Sequence, residues 1–523
     1  MSSELLIAVL VAGIVVLTPL ADRLRVPFPV LLTVFGLAVP LIPGVPHLSV
    51  EPDLILPLVL PPLLFAATQR ATAREFRENA RPILLLAVGL TLASAAAVAV
   101  LAHAAGMPWG VAAVLGAVVA PPDPVAATAV ARRLRLPGRL VTILEGEGMF
   151  NDATALVLYN VAVAAVVAGA VTAGELGLSL VLAVGVGVGL GLAAAVLTRF
   201  ALARLHAAAA ETTVTIAVPF AVYLGAEQLH GSGVLAVLTL GLYLRTYAHH
   251  SLTSEGWLLG RAVWRYLDYL ITSTVFVFIG FELTEILGTS PDRTSALALA
   301  GWTCVVLIAV RFAWVLGATA LFRRRRGVPV AVPVGGRESV VTSWAGMRGV
   351  VTVATALAIP AATSTGEPFP GRDSVIVIAL VTVLVTLVLQ GLTLAPLVKR
   401  LHVGSAADGD DQRRTLRRRA TGAVLDALDG ATGAAYPDRV RHAVRLQYEG
   451  YLAAQEAIGT ARRGSTHDDS DTGDDDAVGA LLRAVSGVER AVVLDARARG
   501  DVTPEVADDL LDEVERRALR QLE

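Results

Sequence analysis

Up to about residue 400 the chain alternates between long apolar runs and short stretches that collect nearly all of its charge. A membrane-crossing helix needs about 20 mostly apolar residues to span roughly 30 Å of hydrocarbon. Thirteen runs of this kind occur, near 4–20, 27–43, 53–69, 82–104, 110–131, 141–172, 176–197, 212–228, 231–245, 264–288, 294–320, 338–361 and 374–398. The pattern predicts an all-α polytopic membrane protein over 1–400 and a separate polar region over 401–523. The first run has no basic stretch before it and no small-residue cleavage site after it, so it reads as a retained helix rather than a secretion signal.

The charges between the runs orient them, because Lys and Arg are retained on the cytoplasmic side of a membrane. Alternate loops carry 22 basic residues, among them Arg70, Arg74, Arg77 and Arg81, then Arg132, Arg133, Arg135 and Arg139, then Arg323 to Arg326. The opposite loops carry only Arg293 and Arg372. This sidedness predicts a multi-pass protein of the cell membrane with its N-terminus outside and its C-terminal region cytoplasmic.

Composition narrows the function. The 523 residues are 55% hydrophobic and 17% charged, against roughly 25% charged in an average soluble domain. Aromatic residues are 5% of the chain and no basic stripe is interleaved with them, so nucleic acid is not an expected partner. Cys304 is the single cysteine, which excludes an intramolecular disulfide and a Cys-cluster metal site. Lys399 is the single lysine and follows Val398, so there is no phosphate-binding G-x-x-x-x-G-K-[ST] loop and no sign of ATP-driven transport. No enzymatic motif and no cofactor are expected. Residues 401–523 hold 17 basic and 24 acidic residues. Helix-like stretches there flank STHDDSDTGDDD, whose charge and low hydrophobicity predict disorder, and His467 among these acids defines no metal geometry.

A few charges lie inside the apolar runs, where each costs at least a few kcal/mol and is expected to be paired or to mark an ion pathway. Six stand out: Asp123, Glu145, Glu147, Asp152, Arg311 and Arg348. Asp123 sits in APPDPVA among Pro121, Pro122 and Pro124. Proline removes a backbone donor and clashes with the preceding turn, so the helix is predicted to break at mid-depth, exposing carbonyls that must face a cavity or another helix. A kink made only for packing is the competing reading of the prolines; the carboxylate among them favours a cation site. In ILEGEGMFNDATALV, Asp152 shares a helix face with Gly148 and Glu145, and such buried acids must hold either protons or a cation. For Glu147 a buried ion pair is the preferred reading, with Arg348 of WAGMRGVV as the expected partner. Glycines 346 and 349 around Arg348 allow a second break. Two inverted six-helix repeats, 1–6 and 8–13, would put both breaks at matching positions, as in a transporter binding site.

EGEGMFNDATALV resembles the E-G-E-S-x-x-N-D-A signature of the NhaP-like and NHE-type sodium/proton exchangers, PPDPVA resembles their T-D-P, and AGMRGVV their G-L-R-G. LPPLLFAA and FVFIGFEL are weaker echoes. The resemblance covers about residues 5–400. It implies a homodimeric antiporter with two crossed broken helices, exchanging a monovalent cation, Na⁺ first, for H⁺ by alternating access and serving pH and sodium homeostasis. Asp152 would alternately bind cation and proton, Asn151 would be its neighbour in the Asn-Asp pair, and Asp123 would be a second ligand or organiser. Glu147 and Arg348 would link two helices. An Asn-Asp pair rather than Asp-Asp resembles the electroneutral branch. Pro122 stands where the family has Thr, so only its backbone carbonyl could ligate; Gly148 replaces a Ser, and Ala66 stands where some members have Glu. These losses leave Na⁺ against K⁺ or Li⁺ open, with a K⁺/H⁺ antiporter as the alternative and a cation channel as the rival class. Glu145 and Arg311 are left without assigned roles.

Overall fold

The computed structural model describes residues 3–24, 26–45, 51–69, 80–123, 127–128, 131, 136, 138–168, 173–205, 207–248, 253–289, 293–324 and 336–403, with 445–446 and 449–450 beyond them. The chain divides into two units, Met1–Ala407 and Asp408–Glu523. Of the second unit only an exposed Arg445–Glu449 ion pair at 2.8 Å, one helical turn apart, is described. Pro124, the loops with Arg70 to Arg77 and Arg325 to Arg326, and the acidic run of the tail lie outside the described residues.

Every apolar run of the sequence carries helix. In chain order these are α1 (Ser3–Leu24), α2 (Phe28–Ala38), α3 (Pro52–Thr68), α4 (Ala80–Ala104), α5 (Trp109–Val119), α6 (Gly138–Ala168), α7 (Ala173–Leu202), α8 (Ala208–Gln228), α9 (Gly233–Tyr247), α10 (Ser254–Thr289), α11 (Arg293–Arg324), α12 (Gly336–Trp344), α13 (Val350–Leu357) and α14 (Arg372–Leu401). Seven of them are long and apolar enough to cross a membrane on those criteria alone. One isolated bridge, Ala362 to Pro368, is the extended pairing found among the described residues.

The helices approach one another through small residues, the usual device where lipid supplies no hydrophobic drive between them. A Cβ at Gly36 of α2 would overlap the Val277 carbonyl of α10, and one at Gly280 of α10 would overlap that of Thr33. Gly187 and Gly191 likewise bring α7 onto Ser232 and Ala236, at the start of α9. Of the seven long helices the most enclosed is α14, with Ile376, Ile378, Leu380 and Leu387 fully buried. By contrast α7 exposes Val181, Leu182, Val188, Leu197 and Phe200, an apolar exterior that suits hydrocarbon rather than water.

Two elements are interrupted. After Val119 the chain leaves the helix through Ala120 to Asp123 and is helical again at residues 127 and 128. Between α12 and α13, residues 345–349 are likewise unwound. These breaks meet: the Asp123 N–H donates to the Met347 carbonyl at 2.6 Å.

Candidate functional site

The crossing frees carbonyls at helix ends, where the macrodipole is negative, and arginines cover them. Arg348, 2% exposed, donates through Nε to the Val119 carbonyl that ends α5, at 2.7 Å, and through Nη1 to the Gly346 carbonyl at 2.7 Å. Its backbone N–H donates to Thr386 Oγ1 of α14 at 3.1 Å. Arg311 of α11 donates through Nε to the Thr342 carbonyl in the last turn of α12, at 3.0 Å. Arg372 does the same at the far end of α13, donating to the Leu357 and Ile359 carbonyls at 3.4 and 2.9 Å.

Glu147 is paired with Arg311 and not, as its sequence suggests, with Arg348. Arg311 Nη1 and Nη2 donate to the two carboxylate oxygens at 2.5 and 2.9 Å, a bidentate geometry that carboxylate and guanidinium share. The reason is steric as well as electrostatic. Gly346 leaves room for the Arg311 side chain, against which a Cβ at that position would press, while the Arg348 fork is already committed to main-chain carbonyls. Arg311, left without a role by its sequence, thus joins α6, α11 and α12.

The remaining acids are disposed differently. Asp123, Glu145 and Asp152 are half-buried and line one cavity of about 70 Å³, room for a cation with a few of its waters. Gly349 admits the Asp123 carboxylate at the N-terminus of α13, since any Cβ there would overlap it; that helix end is positive and suits an acid. Gly148 lines the same cavity. Asn151 does not: it is fully buried, and its Nδ2 donates to the Pro122 carbonyl at 2.8 Å. The amide therefore ties α6 to the break, and the Pro122 carbonyl, expected as a cation ligand, already accepts a hydrogen bond.

Sequence reasoning missed several lining residues. Asp268 and Thr272 of α10 stand four apart on one helix face, and Thr128 and Thr352 follow the two breaks. An acid inside the run 264–288 was the available signal for Asp268. Another buried acid, Glu211, is structural: Thr253 donates to it from its backbone N–H and hydroxyl at 3.2 and 3.1 Å, at the start of α10. Among the described residues no group of three or more His, Cys, Asp or Glu forms a metal-binding cluster.

A carboxylate-lined cavity at the crossing of two broken helices inside an apolar bundle suits transport of a small cation. The transmembrane domain of sodium/hydrogen exchangers matches this chain over residues 6–400. The chain belongs to that family. The exchanger is 36% identical over 455 residues to an uncharacterized Na⁺/H⁺ exchanger of Mycobacterium tuberculosis, with 85% of this chain and 83% of that protein covered. It is 28% identical over 389 residues to the sodium, potassium, lithium and rubidium/H⁺ antiporter of Bacillus subtilis, covering 71% of this chain and 57% of that one. Its fold matches the sodium proton antiporter MjNhaP1 of Methanocaldococcus jannaschii with a TM-score of 0.60 at 20% identity, over 77% of this chain and 99% of the other. The exchanger is thus a multi-pass membrane antiporter of cations and protons and not an enzyme.

Proposed function

We propose that the exchanger moves one Na⁺ against one H⁺ by competition for Asp152, with Asp123 as the second carboxylate of the cation site. The observation that carries this reading is the cavity at the crossed breaks, which Asp123 and Asp152 line together. An ionised pair attracts a cation and a protonated one does not, so cation and proton exclude each other without a further gate. Electroneutral exchange rests on the Asn-Asp order at 151–152.

Sidedness follows from the arginine-rich loops. Leu63, Leu64 and Ala67 of α3 line the cavity from the end of that helix that leads to Arg70, and Glu145 lies toward the end of α6 that begins with Gly138 and Arg139. The cavity is therefore on the basic-loop side, and the conformation faces the cytoplasm. Alternating access follows when the crossed breaks shift past the surrounding helices. Thirteen spans in two inverted six-helix repeats, a cytoplasmic domain over 401–523, a homodimer and a part in pH and sodium homeostasis complete the proposal. K⁺ and Li⁺ are further cargoes to examine, because Pro122 and Gly148 offer no hydroxyl and the Bacillus subtilis relative is named for potassium and lithium as well as sodium.

The test is exchange in proteoliposomes with an imposed proton gradient, each cation added in turn. Asp152→Asn should abolish cation-dependent dissipation of the gradient while the protein remains folded. Unchanged exchange in that variant would remove Asp152 from the mechanism.

A further inference from the structure

Resting on the reading of this cavity as the cation site, we propose that the hydroxyl of Thr352 is a direct ligand of the transported cation and a determinant of its affinity. Thr352 stands in the first turn of α13, is 1% exposed and lines the cavity with Asp123 and Asp152. Its Oγ1 has no hydrogen-bond partner. Threonines within helices ordinarily return their proton to the carbonyl four residues back. Thr355 does so to Val351 at 2.8 Å, and Thr386 to Thr382 at 2.7 Å. For Thr352 that carbonyl belongs to Arg348, in the unwound stretch 345–349, and no such bond forms. A buried hydroxyl left unpaired costs about 1–3 kcal/mol, which a cation entering the cavity would offset by taking the oxygen as a hard ligand. The position also supplies from the second break the kind of oxygen that Pro122 and Gly148 do not offer near the first.

The test compares wild type with Thr352→Val, Thr352→Ala and Thr352→Ser in proteoliposomes, reading the Na⁺ dependence of exchange. Both hydroxyl-free variants should raise the apparent KM for Na⁺ about tenfold and leave the maximal rate at saturating Na⁺ nearly unchanged, while Thr352→Ser stays close to wild type. Two deletions are used so that a folding defect in one leaves the other to decide. A wild-type KM in either folded deletion, or a loss confined to the maximal rate, overturns the proposal. Asp152→Asn measured alongside separates the two ideas. If it is inactive while the Thr352 variants behave as wild type, only the ligand role of Thr352 fails; if it still exchanges, the site reading itself fails.

Discussion

Glu147 and Arg311 are 2% and 3% exposed and hold each other by two hydrogen bonds. Removing one partner of such a pair leaves an uncompensated buried charge, at a cost of about 3–5 kcal/mol. Arg311→Met is therefore expected to lower thermal stability in detergent strongly, and the double variant with Glu147→Gln to recover much of the loss. A double variant no more stable than Arg311→Met would show that the charge is not what the pair compensates. Gly349 illustrates a different constraint, because the Asp123 carboxylate occupies the space of a side chain there. Gly349→Ala should displace the carboxylate and reduce exchange at least several-fold in folded protein, measured in proteoliposomes. Wild-type rates would mean that the position of Asp123 at the start of α13 is immaterial. The sequence singles out Glu147 and Arg348 as buried charges but cannot choose between two arginines for one glutamate, since both lie in apolar runs and the choice depends on distances across three helices.

Among the elements, the broken helices have carbonyls at their ends covered by three arginines. Arg348, Arg311 and Arg372 each satisfy carbonyls at an end of α5, α12 or α13, groups that water or another turn of helix would otherwise have to satisfy. This gives Arg372, one of the two basic residues in its set of loops, a structural task. The contact of α2 with α10 depends instead on absence of side chains. Gly280→Val should force the helices apart and destabilise the protein by about 1–3 kcal/mol, whereas Gly301→Ala, with nothing within 4 Å of the added methyl, should be neutral. Thermal unfolding of the two variants beside wild type checks the contrast, and equal stability would sink the packing argument. The breaks are legible in sequence from three prolines and two glycines. That they bond to each other through Asp123 and Met347 is not, because nothing local in either segment encodes the other's position.

For the whole molecule, the arginine asymmetry between alternate loops predicts sidedness directly. Ala105 and Ala203 are both exposed, at opposite ends of the bundle by that assignment. With the buried Cys304 replaced by Ser, a cysteine at Ala105 should react with a membrane-impermeant maleimide in intact cells, and one at Ala203 only in inside-out vesicles. Labelling of Ala203→Cys from outside would invert the topology and with it the direction in which the cavity faces.

The sequence by itself determined where the helices lie, because the length of an apolar run is set by the thickness of a bilayer and is a local property. It also marked Asp123, Glu145, Glu147 and Asp152, because a charge within such a run is too costly to be incidental. Only the tertiary structure decided what each charge does. It separated Asp123, Glu145 and Asp152, which line a cavity, from Glu147 and Asn151, which hold helices together, and it brought in Asp268 and Thr352 from helices distant in sequence. Those distinctions depend on which neighbour reaches a buried group first, and that is fixed by the crossing of the broken helices.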